Sequence, residues 1–195
     1  LGLAKRMLPA GGEKPGLIDR LGAQTVVAAT VRAIGLLGRQ FVLGQSIASA
    51  LDEAQAQRRA APQLRFSFDM LGEGARTDAD ARRYHAAYVA ALQAIAVSTK
   101  GSGPAERDGL SIKLSALHPR YEHAKRARVL AELGEGLLEL AQLARRYGIG
   151  LTIDAEETDR LELSLDLIFR VLADGSLRDW NGFGIVVQAY QKRAP

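Results

Sequence analysis

Cysteine is absent from this 195-residue chain, which excludes a disulfide framework and any thiolate metal or redox site. Lysine is scarce, six residues against twenty arginines. The net charge is +4, but the basic residues scatter instead of forming a stripe, so no nucleic-acid binding by this segment is expected. No Walker motif, nucleophile elbow or zinc signature occurs. Gly72-Glu73-Gly74 and Gly101-Ser102-Gly103 lack the third glycine of a phosphate-cradling fingerprint. His118 and His123 do not share a helix face, so no metal pair is expected. The opening stretch Leu1–Ala10 is short and broken by Lys5 and Arg6, unlike a secretory signal. Even the most apolar region, residues 21–43, carries Gln24, Arg32, Arg39 and Gln40. A membrane span needs about 20 apolar residues in succession, so this region reads as a buried or docking helix.

What remains is an ordinary globular composition, 47% hydrophobic and 25% charged, with a repeating pattern. Four apolar runs end in polar residues at intervals of roughly 35 to 45 residues. They are Leu64 to Asp69, Leu110 to Ser115, Ile149 to Asp154 and Gly184 to Tyr190. Helical patterns lie between them. The first follows the capping-box pair Thr77 and Asp80, with Ala81, Tyr84, Tyr88, Leu92 and Ile95 on one face. The second covers about 121–147, with Leu130, Leu133, Leu137, Leu140 and Ala144 as its stripe, Arg145 and Arg146 in its last turn and Gly148 beyond. The third covers about 156–173, with Leu161, Leu165, Ile168 and Leu172 buried and Gly175 as its stop. A parallel crossover needs a helix to return the chain. The expected fold class is therefore α/β, a (βα)8 TIM-like barrel of which the first four strands are present.

Residues 1–62 read as a linker and a helical segment preceding the barrel. Within them fall a helix of about 16–42 and a second helix opening after Ser46. Residues 63–195 read as the first half of the barrel, truncated after strand four. The chain is thus expected to be a fragment that is inactive alone. Its inner strand face, with Phe68, Leu114, Ile153 and Val187, is expected to be apolar, so that the segment alone aggregates, dimerises through its open edges or stays loosely folded.

Barrel enzymes carry their chemistry at the carboxyl ends of the strands, which here supply Asp69, Lys113, Asp154 and Gln188. A lysine within an apolar run must find a counter-charge, a ligand or a route to water. Asp154 can orient a cation, accept a proton or ligate a metal. Glu156 and Glu157 fit an acidic first helical turn. Glu73 lies in the loop over the first strand's end, where a gate would be built. His118-Pro119-Arg120 reads as a turn ordering the loop after strand two. These residues suggest a Lys–Asp pair in a barrel-like enzyme, without naming a reaction.

Longer strings carry further. Phe68-Asp69-Met70-Leu71-Gly72-Glu73, the run from Ser111 to Tyr121 (Ser-Ile-Lys-Leu-Ser-Ala-Leu-His-Pro-Arg-Tyr), Ile153-Asp154-Ala155-Glu156-Glu157 and the run from Val187 to Arg193 occur in one order. Together they resemble the proline dehydrogenase domain of the bifunctional proline utilization A flavoenzymes. Gln40 to Ile47 resembles the helical segment before that barrel. The resemblance implies a distorted barrel that holds FAD across its strand ends and oxidises L-proline to Δ1-pyrroline-5-carboxylate, passing electrons to a quinone acceptor at the membrane. It implies that Lys113 lies beside flavin and substrate, that Asp154 supports substrate-binding arginines and touches the cofactor site, and that Gln188 hydrogen-bonds the flavin. By the same resemblance Glu73 closes the site, with Asp69 and Tyr190 as supporting residues and no metal. The implied partners are L-proline, the remaining half barrel and an aldehyde dehydrogenase domain. The implied location is cytoplasmic, peripheral at the inner membrane face. Two rivals stand beside this reading: a Schiff-base or metal-dependent barrel lyase using Lys113, and a non-catalytic scaffold.

Overall fold

The computed structural model describes residues 17–38, 42–72 and 74–194, with side chains from residue 25 of the first stretch. The expected linker, the side chains of Leu17 and Leu21, and Phe41 lie outside the described residues. The chain divides into two compact units, residues 1–53 and 54–195. The first holds α1 (Leu17–Gly38) and the opening of α2 (Ile47–Ala60). Val27, Val31 and Ile34 of α1 are exposed, which departs from a buried helix. Among the described residues no helix is long and apolar enough to cross a membrane. Ser46 caps α2 as expected: its Oγ accepts from the Ser49 N–H at 3.2 Å.

The second unit is α/β. Four parallel strands lie in the order β1 (Ser67–Asp69), β2 (Gly109–Ile112), β3 (Leu151–Ile153) and β4 (Phe183–Ile185). Between them run α3 (Asp78–Ser98), the short α4 (Leu114–Leu117), α5 (Arg126–Tyr147) and α6 (Leu161–Leu172). Each strand is shorter than its apolar run. After Ile112 the chain turns at once into α4, so Leu114 and Ser115 are helical. The fourth run ends as strand at Ile185, because its neighbour β3 ends at Ile153. Val186 N–H makes a last bond to Ile153 O at 2.9 Å, and Gln188 to Gln191 form a turn. Gln188 and Tyr190 are therefore loop residues.

Alternation along the strands sorts the side chains into two faces. Phe68, Leu110, Ile112, Leu151 and Ile153 are buried. So are Tyr88, Leu92 and Ile95 of α3, Leu133, Leu137 and Leu140 of α5, and Leu163, Leu167 and Val171 of α6. The alternate strand positions are Ser67, Asp69, Ser111 and Thr152, continuing to Lys113 and Asp154, and Ser67 Oγ meets Ser111 Oγ at 3.0 Å. This overturns the expectation of an apolar inner face. Phe68 and Ile153 belong to the buried face, Leu114 is buried at the start of α4, and the opposite face is polar. Only Val187 of the four stands exposed, beside Ile185 and Val186.

The helix signals held where caps were explicit. Thr77 and Asp80 form the reciprocal capping box of α3, and Gly148 ends α5 with φ 63°. The α5 stripe holds with Val129 in place of Leu130. In α6 the buried positions are Leu163, Leu167, Ile168 and Val171, so of the expected stripe only Ile168 is right. A 3₁₀ turn at Thr158–Arg160 precedes this helix and delays its start. Gly175 opens another such turn, Gly175–Leu177, and does not cap the helix.

Two arginines tie the elements together near the start of β2. Arg107 donates to Ala96 O at 2.6 Å, to Thr99 O at 3.0 Å and to Tyr147 O, holding the carbonyl ends of α3 and α5. Arg58 of α2 pairs with Asp108, whose other oxygen accepts the Phe66 N–H at 3.0 Å.

Candidate active site

Because β1, β2 and β3 are parallel, their carboxyl ends face one way. Asp69 ends β1, Lys113 follows β2 and Asp154 follows β3. Ile112 is opposite Ile153 in the ladder, so Lys113 and Asp154 leave their strands at one level. Asp69 is level with Ser111, two residues lower. The long lysine side chain bridges the difference. Its Nζ lies 2.8 Å from both Asp69 oxygens and 2.6 Å from Asp154 Oδ2. The Lys113 side chain is only 10% exposed, so the pairing satisfies the demand that a buried charge meet its counter-charge.

Burial by itself pulls the Lys113 pKa down. The hydrogen bonds and charges of Asp154 and Asp69 outweigh it, and the ammonium is held above its ordinary value. The Lys113 N–H donates to Tyr88 Oη at 3.2 Å. Burial pushes the Tyr88 hydroxyl up to about 12, and burial does the same to Tyr121, also to about 12. All three shifts stabilise the fold fully below the unfolded-state values and are lost as pH rises through the folded ones. Unfolding free energy should therefore fall as pH rises from 10.0 toward 12. Tyr88→Phe should flatten part of that fall in denaturant titrations at stepped pH.

Above the cluster opens a cleft of about 550 Å³, lined in part by Lys113, Ser115, Tyr121, Glu156, Arg160 and Gln188. Tyr190 is on the same wall and mostly exposed, its hydroxyl 3.3 Å from Gln188 Oε1. Gln191 Nε2 donates to that oxygen at 2.8 Å. The structure thus joins Lys113, Asp69 and Asp154 directly and sets Gln188 and Tyr190 on the rim. Glu73 lies outside the described residues.

Other groups were not legible as site residues. Glu156 is almost fully buried. Its Oε1 accepts the Ser115 N–H at 3.0 Å and its Oε2 is 3.5 Å from Arg160. Arg160 also pairs with Glu157 at 3.1 Å and covers the Tyr121 ring. Tyr121 Oη meets Ser164 Oγ at 2.5 Å. His118, in the expected turn, accepts the Arg120 N–H at Nδ1 (3.0 Å), so its Nε2–H donates to Glu132 (3.1 Å). Among the described residues no three His, Asp or Glu side chains gather as metal ligands would.

The proline dehydrogenase family model matches residues 51–195. This chain belongs to the proline dehydrogenase family. It is 49% identical over 179 residues to the bifunctional protein PutA of Salmonella typhimurium, a match covering 92% of this chain and 13% of that protein. The Escherichia coli PutA is 48% identical over the same length, with the same coverage. The chain therefore spans only about an eighth of the curated relatives it matches. A crystallised variant of Bradyrhizobium japonicum proline utilization A superposes with a TM-score of 0.74 at 51% identity, over 96% of this chain and 19% of the other. The Bdellovibrio bacteriovorus PutA inactivated by N-propargylglycine superposes with 0.79 at 20% identity, over 97% and 20%. That last likeness speaks for the fold alone.

Proposed function

We propose that the protein carrying this chain oxidises L-proline to Δ1-pyrroline-5-carboxylate with FAD, at the carboxyl ends of these strands within a (βα)8 barrel. The observation that carries the reading is the Lys113 ammonium held between Asp69 and Asp154 below an open cleft, in a chain of the proline dehydrogenase family.

The donor set suits a flavin. Its ring edge offers carbonyl oxygens and nitrogens, which are stabilised by a nearby positive charge and by a carboxamide donor, and Lys113 and Gln188 line one cleft. The polar strand face of Ser67, Ser111 and Thr152 continues beneath. When bound, the flavin supplies the two-electron sink that takes a hydride from the proline ring carbon beside nitrogen. The residues of this chain set position and field. Lys113 keeps its charge, so it acts as a fixed cation, not as a base. Asp154 and Asp69 hold that cation in one place. The same charge disfavours the Schiff-base lyase, which needs a neutral amine.

Electron delivery to a membrane quinone, a partner aldehyde dehydrogenase domain, a cytoplasmic or peripheral-membrane location and the domain limits 1–62 and 63–195 belong to the same proposal. So do Gln188 as a flavin contact, Tyr190 and Asp69 as supports, and Glu73 as a gate. Glu73→Ala should raise KM for proline more than it lowers kcat, since a closing contact mainly retains substrate. Steady-state kinetics would show the split.

The test is direct. The natural full-length protein is incubated with L-proline and an artificial acceptor, and the product is captured with an ortho-amino aromatic aldehyde, whose amine adds to cyclic imines. Flavin-dependent formation of the trapped imine supports the reading. Imine formation without flavin, or a borohydride-trapped adduct on Lys113, overturns it.

A further inference from the structure

Lys113 occupies a position that normally serves another purpose. It is the N-cap of α4, extended at φ −109° and ψ 129°, and it makes no side-chain cap bond. Ser, Thr, Asp and Asn are favoured there because their oxygens accept from the first free N–H groups of a helix. An ammonium only donates, so a lysine in this place leaves the Ser115 N–H without its local acceptor. Glu156 supplies the acceptor from the next strand's end, at 3.0 Å.

Ser115 is also a crossing point for a second segment. Its carbonyl accepts the Ala75 N–H at 2.8 Å, which anchors the loop following β1. The ends of β2 and β3 are thus joined twice, by Lys113 to Asp154 at 2.6 Å and by Ser115 to Glu156 at 3.0 Å. The second link fixes the turn from which the lysine side chain departs. Arg160, itself stacked over Tyr121, holds the other oxygen of Glu156.

We infer that Glu156 is a positioning residue for the proposed reaction, a cap supplied from another element that lets position 113 carry a cation and fixes where its Nζ lies. The inference rests on the reading above that Lys113 serves proline oxidation. It excludes the simpler role of an acidic first helical turn, since α6 begins only at Leu161.

The test uses the flavin-loaded, full-length protein and the variants Glu156→Ala, Glu156→Gln and Lys113→Ala, with the double variant. Glu156→Ala should lower kcat by about 10- to 100-fold, the scale of a small misplacement of a reacting constellation. Glu156→Gln keeps an acceptor for the Ser115 N–H and should recover most of that loss. In the Lys113→Ala background, Glu156→Ala should add almost nothing, because residues acting as one unit are not additive. An unaltered kcat in Glu156→Ala, or a full additive loss in the double variant, overturns the inference. A second readout does not depend on the reaction. Amine-directed acetylation mapped by mass spectrometry should label Lys113 faster in Glu156→Ala than in wild type or Glu156→Gln. Equal labelling in all three overturns the positioning role even if proline is oxidised. Wild type that fails to oxidise proline while this labelling pattern holds overturns the reaction and leaves the positioning role standing.

Discussion

Lys113→Ala and Asp154→Ala should each lower kcat for proline by a factor of about 10² or more, the scale of losing one preorganised charge or donor at a reacting centre. The two substitutions fail for different reasons. Without Lys113, the Asp69 and Asp154 carboxylates lose the cation that both contact within 2.8 Å and are left to repel each other. Without Asp154, the ammonium keeps Asp69 but loses its shortest bond, and its side chain is free to tilt toward β1. Steady-state kinetics at saturating proline, with flavin content measured in each preparation, separates lost chemistry from lost cofactor. The double variant should be little worse than the worse single one, because the residues act as a unit. Near-normal turnover in both variants with flavin retained would remove them from the site.

The largest stability effect is expected at the other end of the sheet. Arg58→Ala should destabilise the fold by about 3–5 kcal/mol, the cost of leaving a buried charge uncompensated. Asp108 has a side chain only 1% exposed and two partners, Arg58 and the Phe66 N–H. Removing the arginine leaves a buried carboxylate with one neutral hydrogen bond. It also removes the guanidinium from the face of the Phe66 ring, 5.3 Å away. Set against a typical total of about 5–15 kcal/mol, the change should be plain in a denaturant titration. Arg58→Ala combined with Asp108→Ala should cost less than the sum of the single variants, since no orphaned charge remains. An additive double variant would mean that the pair is not coupled.

The repeat of strands and helices was legible because alternation and caps are local. Thr77 with Asp80 and the glycine at 148 mark helix ends by chemistry that needs no tertiary context. The grouping of Asp69, Lys113 and Asp154 was legible for the same reason, as polar residues closing apolar runs. Strand lengths were not, because a run such as Gly184 to Tyr190 remains strand only as far as its neighbour supplies partners, and β3 ends at Ile153. The α6 stripe differs from its sequence pattern because the 3₁₀ turn at Thr158–Arg160 shifts the helix start and with it the buried face. The polar face opposite the helices is absent from the sequence reading for a different reason. Ser67, Ser111 and Thr152 alternate with apolar residues in plain view, but alternation alone does not say which set faces the helices. Glu156 escaped because its partner, the N–H beyond Lys113, becomes an orphan only once α4 is known to begin there.

Anaerobic mixing of the flavin-loaded, full-length protein with L-proline tests the central claim most directly, since it isolates hydride transfer from any later acceptor. Bleaching of the visible flavin band by wild type, slowed about 10²-fold or more in Lys113→Ala, is the predicted result. Failure of proline to reduce the wild-type flavin, or reduction at the same rate without Lys113, would contradict it.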